Sequence, residues 1–263
     1  MKRGPLLFMA GLTAAVPGVA HAAAAHAAHA THAARAASDV GLASRPLVLI
    51  LAMAALSLIP FALLMVTSFV RISVVLSILR SAIGTPSVPP TQVLTGLSLI
   101  LTIAVMAPTG QRMYDEMKPA LGLAAGADVA SAETLGALGT AADRGKEPLR
   151  EFILKHTDPR DRASFLAVTL KMRTPAERAT VTDRDFGVIV PAFVTSELRR
   201  AFQIGFLLFI PFLVVDMVIA NLLLALGMHM LSPTTVSLPF KLLLFVVADG
   251  WTLVIRGLLQ SYA

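Results

Sequence analysis

IGFLLFIPFLVVDMVIANLLLAL, residues 204–226, is 23 residues long and carries a single charged group, Asp216. At 1.5 Å of rise per residue, a helix of that length outspans the roughly 30 Å hydrocarbon core of a bilayer. A surface helix of a soluble domain would alternate apolar and polar faces instead. Gly227 follows the run, as a helix carboxy-terminus favours.

The same signal recurs on either side of this run. Residues 238–259 form a second apolar block on the far side of a short turn, but this one contains Lys241, Asp249 and Arg256. Those charges make it unlike a single lipid-facing helix. Residues 47–66 are 20 residues without a charge, with Pro60 expected to kink them. Residues 67–84 read as a helix apolar nearly all round, interrupted by Arg71 and Arg80 and stopped by Gly84 and Pro86. Residues 93–107 are only 15 long, short for a span unless Thr91 and residues 108–109 are drawn in. The interlude at 111–185 is polar, with helix-compatible pieces at 149–156 and 162–172 and expected breaks at Pro148, Pro159 and Pro175.

These readings give an all-α, multi-pass helical membrane protein of four apolar segments arranged in helical hairpins, with a small helical extramembrane domain. Hydrophobic residues make up 56% of the chain and charged residues 14%, against roughly 25% charged in soluble domains. The expected divisions are 1–22, 23–45, 46–109, 110–187 and 188–263. The first follows signal-peptide grammar, with Lys2 and Arg3, an apolar stretch and Ala20-His21-Ala22 as the cleavage site; an uncleaved anchor is the alternative. The second is an Ala/His-rich tether in which His26, His29 and His32 recur every third residue. Low-complexity tether is preferred there to a metal site, because no carboxylate stands near. With the signal removed, four crossings make the interlude periplasmic and leave Arg71 and Arg80 on the cytoplasmic side, in keeping with the positive-inside rule.

Several function classes fall away. The chain has no cysteine, which removes disulfides and thiolate chemistry. Its net charge of +6 is not gathered into a basic strip: residues 111–200 hold 14 basic and 13 acidic groups, so nucleic-acid binding has little support. No metalloprotease, nucleophile-elbow, phosphate-loop or dinucleotide motif occurs, and no cofactor is expected. His156 and His229 are isolated in sequence and read as structural.

The informative residues are charges embedded in apolar runs. A charge in hydrocarbon costs at least ~2.5 to 3.5 kcal/mol, so each should face a partner or water. Asp216 is expected to pair with Lys241, and Arg71 with Glu197, within or between protomers; snorkelling to the headgroups suits Arg256 better. Met228, His229 and Met230 occupy the turn between the last two apolar blocks. In a ring of subunits such flexible methionines would make a compressible seal that gates by excluding water, whereas in a lone chain the turn is an ordinary one.

Three stretches in order, TSFVR at 67–71, VPAFVTSELRRAFQIGF at 190–206 and GMHMLSPTTVSLPFKLLLFVVADGW at 227–251, resemble the FliP/SctR family. The resemblance runs from about residue 47 onward. It implies a pore-forming core subunit of the type III or flagellar export gate in the bacterial inner membrane, not an enzyme. It implies a homo-oligomer, a pentamer, that assembles with FliQ/SctS-like and FliR/SctT-like subunits, works with FlhB/SctU-like and FlhA/SctV-like components, and passes unfolded protein substrates.

It also implies that helices inserted as spans are later lifted toward the periplasm, where a protein wall accommodates their charges. Met228 and Met230 match the family's methionine gasket, and His229 departs from a usual methionine. Histidine titrates near neutral pH, so closure of the seal is expected to respond to pH. A cleavable signal resembles flagellar members, while FILKHTDPRDR at 152–162 and ANLLLALG at 220–227 look closer to the virulence branch, toward which the reading leans. A small-molecule or ion transporter is the alternative, disfavoured by the lack of an internal repeat or paired broken helices.

Overall fold

The computed structural model describes residues 46–85, 88–124 and 132–263. The signal peptide, the tether and its three histidines lie outside the described residues. Within them the regular structure is helical: α1 (Pro46–Met65), α2 (Phe69–Ile83), α3 (Thr91–Ala124), α4 (Ala132–His156), α5 (Pro159–Met172), α6 (Pro175–Arg178), α7 (Phe186–Ala225), α8 (Pro233–Val247) and α9 (Gly250–Gln260).

The segment from Leu56 to Met65 meets α2 at an angle of 69°. At this corner the Thr67 hydroxyl donates to the Leu64 carbonyl and accepts from the Phe69 amide, so a side chain supplies the bonds a continuous helix would have made itself. The bend therefore lies beyond Pro60, which sits inside α1. α2 ends at Gly84, whose φ of 87° needs a residue without a Cβ.

α2 is the central helix. Ile72, Val75, Leu76, Leu79, Ala82 and Ile83 recur at three- and four-residue steps and are all buried. They meet Leu94 and Leu101 of α3, Ala201 and Phe212 of α7, Phe245 of α8, and Val254 and Leu258 of α9. α2 and α7 run in the same direction, since Arg71 lies against Glu197 at one end and Ile78 against Gly205 further along. A Cβ on Gly205 would stand 2.5–3.1 Å from three atoms of Ile78, so the absent side chain is what lets the two helices approach. A second cluster joins Phe152 and Ile153 of α4 to Ile189, Phe193 and Tyr262.

Three helix boundaries differ from the sequence reading. α3 does not stop near 107 but runs 34 residues through Pro108 and Pro119. α4 likewise passes through Pro148. A proline removes one backbone hydrogen bond and crowds the preceding turn. Here α3 and α4 lie antiparallel along each other, with Arg112 opposite Glu151 and Met117 opposite Gly145, and that shared packing offsets the local cost. Pro159 and Pro175, by contrast, sit in the first turns of α5 and α6, where the missing amide is harmless.

The third difference is the last apolar block, which is two helices bent by 60°. Asp249 makes the bend with a left-handed φ of 50°, and the Phe245 ring lies directly on the backbone of Gly250.

Among the described residues, two helices are long and apolar enough to cross a membrane, α3 over Thr91–Gly122 and α7 over Phe186–Ala225; with each bent pair taken as one span there are up to four. Only 17% of the most apolar window of α7 is buried. Phe206, Leu207, Met217 and Val218 face outward, an apolar surface that requires lipid or protein around it.

Candidate functional site

Four of the embedded charges, Arg71, Glu197, Asp216 and Lys241, are gathered into two networks on α7. The first is built from SELRR, residues 196–200. In a helix these five side chains fan around the axis, and the four polar ones reach three neighbouring segments: Glu197 meets α2, Ser196 and Arg199 share Asp161 of α5, and Arg200 reaches the end of α4. Glu197 is fully buried and forms an ion pair with Arg71 of α2, itself 1% exposed. Tyr262 donates its hydroxyl to the other Glu197 oxygen, and its ring lies 4.0 Å beneath the Arg71 guanidinium. Arg71 also donates to the Ser261 hydroxyl at 2.9 Å and the Ser261 carbonyl at 3.3 Å.

Ser196 donates to Asp161 at 2.7 Å, Arg199 pairs with Asp161 at 2.5 Å, and Arg200 donates to the His156 carbonyl at 2.9 Å. A buried charge pair is tolerable only when its remaining hydrogen-bonding capacity is used, and here most of it is. The Arg71 Nε and the Ser68 hydroxyl are buried without a partner.

Burial, the Glu197 charge and the hydrogen bond to it push the Tyr262 hydroxyl far above the ordinary phenol range, so it stays a donor. His156 packs at a tilt against Phe152 and edge-on against Tyr262, with ring centroids 4.7 and 5.0 Å away. Burial, reinforced by the charges of Arg71, Lys155 and Arg200, holds its imidazole down to about 4.

The second network ties the hairpin of α7 and α8. Lys241 donates to Asp216 at 2.6 Å, and Ser237, one turn earlier on the same face of α8, donates to the other Asp216 oxygen at 2.5 Å. The Lys241 ammonium also reaches the Ala82 carbonyl at 3.4 Å, at the end of α2. One buried lysine thus stitches three helices. Asp249, also inside the apolar run, is exposed and serves the bend instead.

Beyond this network the hairpin ends in the turn 227–233. Gly227 takes a left-handed φ of 73° and its amide bonds back to Leu224, which turns the chain at the helix end. Met228, His229 and Met230 are all exposed, Met230 by 99%. The structure thus brings Arg71 to Glu197 and Asp216 to Lys241, and places the three turn residues together at a tip away from both pairs.

Sequence reasoning missed Tyr262, Ser261, Ser237, Ser196 and Asp161. Ser237 was findable from its four-residue spacing to Lys241; the others are polar residues outside any apolar run and carry no periodic signal.

The FliP family model matches residues 52–258. The flagellar biosynthetic protein FliP of Pectobacterium carotovorum subsp. carotovorum is 49% identical over 210 residues, 80% of this chain and 76% of that protein. The hypersensitivity response secretion protein HrcR of Ralstonia nicotianae is 42% identical over 214 residues, 81% of this chain and 96% of the relative. The Yop proteins translocation protein R of Yersinia pestis is 42% identical over 215 residues, 81% and 95% of the two chains.

Proposed function

The chain belongs to the FliP family of export-gate components of flagellar or type III secretion systems, and on that premise we propose that it is a pore-forming subunit through which unfolded proteins cross the bacterial inner membrane. It is a non-enzymatic membrane protein. The observation that carries the pore reading is the hairpin of α7 and α8: a tip of exposed Met228, His229 and Met230, held away from the core by arms that Asp216, Ser237 and Lys241 lock together.

Copies arranged around an axis, a pentamer by family resemblance, bring five such tips to one ring. There the methionines close on each other and exclude water, while their flexible thioethers yield to a passing chain. Outward apolar faces on α7 and α8 suit further copies and the FliQ/SctS-like and FliR/SctT-like subunits, with FlhB/SctU-like and FlhA/SctV-like components beyond them. The polar helices α4–α6 form the periplasmic part. The 152–162 and 220–227 stretches favour an injectisome over a flagellar system.

Native mass spectrometry of the detergent-purified chain, alone and with the two small membrane partners, tests this. A discrete homo-oligomer that takes up both supports the gate. A monomer indifferent to them overturns it.

A further inference from the structure

A cavity of about 300 Å3 opens between α3 and α4 beside Tyr262. None of the interactions assigned to the gate uses it. One wall is apolar, formed by Val105, Pro108 and Phe152; the rim carries Arg112, Lys155 and Glu151. At its base lies His156, buried on nearly all sides, and no hydrogen bond among the described residues accounts for its ring nitrogens.

Arg112 and Glu151 approach only to 3.6 Å with both side chains more than half exposed, so little energy holds them together and the guanidinium is free to turn. Lys155 makes no ion pair among the described residues. Behind the floor stand Arg71, already paired with Glu197, and Arg200. The cations around the cavity outnumber its one carboxylate.

Its position along α3 decides which anion suits it. The helix is apolar from 91 to 108 and charged from Arg112 through Asp115, Glu116 and Lys118. The cavity sits at that change, which in a helix inserted as a span is the level of the lipid headgroups, and its lining passes from apolar residues to Arg112, Lys155 and Glu151.

We propose that this cavity binds the phosphate of an anionic phospholipid, with Arg112 and Lys155 as its charge partners, His156 as a donor or acceptor at the base, and the Val105, Pro108 and Phe152 wall against the glycerol and first methylenes. The phosphate chemistry alone would also admit a free phosphate. The lipid is favoured by the apolar wall, which a free phosphate leaves wet.

The full-length chain in mixed micelles of phosphatidylglycerol and phosphatidylcholine is the test, read by native mass spectrometry. Wild-type protein is expected to retain phosphatidylglycerol at least tenfold over phosphatidylcholine. Arg112→Ala with Lys155→Ala is expected to abolish that preference, and both positions are exposed enough for the fold to survive. Glu151→Gln removes the repelling carboxylate and is expected to strengthen retention, a gain no misfolded variant would show.

Absence of a preference overturns the proposal, as does a preference that survives the double substitution. Inorganic phosphate that raises the unfolding temperature as much as the lipid does, in wild type but not in the double variant, makes the ligand a free phosphate and overturns the lipid assignment.

Discussion

Lys241 sits almost fully buried with its ammonium 2.6 Å from Asp216, and from α8 this one side chain reaches polar groups of both α2 and α7. Asp216 keeps Ser237 as a second partner. Lys241 keeps only a carbonyl at 3.4 Å.

Asp216→Leu is therefore expected to cost about 3 kcal/mol, since it strands the more buried member of the pair, and Ser237→Ala about 1 kcal/mol. Exchanging the two charges, Asp216→Lys with Lys241→Asp, is expected to recover part of the loss. Unfolding in detergent measures all three; a wild-type midpoint for Asp216→Leu would show that the pair does not hold the hairpin.

Gly205→Ala is expected to destabilise by about 1–3 kcal/mol, because Ile78 confronts the new methyl with its Cβ and Cγ2 as well as its tip and cannot rotate clear. A second change, Ile78→Ala, removes the obstacle and should restore stability. If the double variant is weaker than Gly205→Ala alone, the close approach of α2 and α7 is not the cause.

Acid should begin to weaken the packing around His156 well above the pH at which carboxylates ordinarily titrate. The unfolded imidazole of His156 takes up a proton near ~6.5, and the folded one only near about 4. Between those values the unfolded state binds more protons, so stability falls as pH drops and is level above the upper one. The lowered carboxylates begin to lose their contribution only as pH falls through their ordinary values, 4.5 for Glu177 and 3.8 for Asp143 and Asp185, at the acid end of that window. His156→Phe should flatten the slope between pH 5 and pH 6.5, on the order of the window those values define. Thermal midpoints across that range decide; an unchanged slope would assign the acid sensitivity elsewhere.

Met230→Ala should leave the isolated chain's stability within about 0.5 kcal/mol of wild type, because the side chain touches almost nothing. In the assembled gate the same change is expected to raise ion leakage. Conductance of reconstituted complexes reads this directly, and an unaltered leak would remove Met230 from the seal.

What could be seen in the sequence follows from cost. Asp216 and Lys241 stood out because a charge inside an apolar run is expensive, and the residues that must solve that expense are few. Arg71 and Glu197 lie at the edges of runs and were legible for the same reason.

The carboxy-terminal partners were not legible. Tyr262 and Ser261 look like ordinary polar residues, and only the bend at Asp249 carries them back onto Arg71. That bend escaped notice because a left-handed aspartate has no pattern of its own. Pro148 misled in the opposite sense: a proline weakens a helix locally, but the mutual packing of α3 and α4 is a long-range fact that no local rule contains.

Arg71 and Glu197 are separated by 126 residues of chain. At ~5–20 residues per second of synthesis, the guanidinium waits roughly 6–25 s for its carboxylate to be made. During that interval it must rest in headgroups, in water or in an insertion factor, so α2 reaches its final depth only after α7 has left the ribosome. The order of synthesis is thereby written into the placement of a single ion pair, and a ribosome paused between the two codons would hold a half-seated helix.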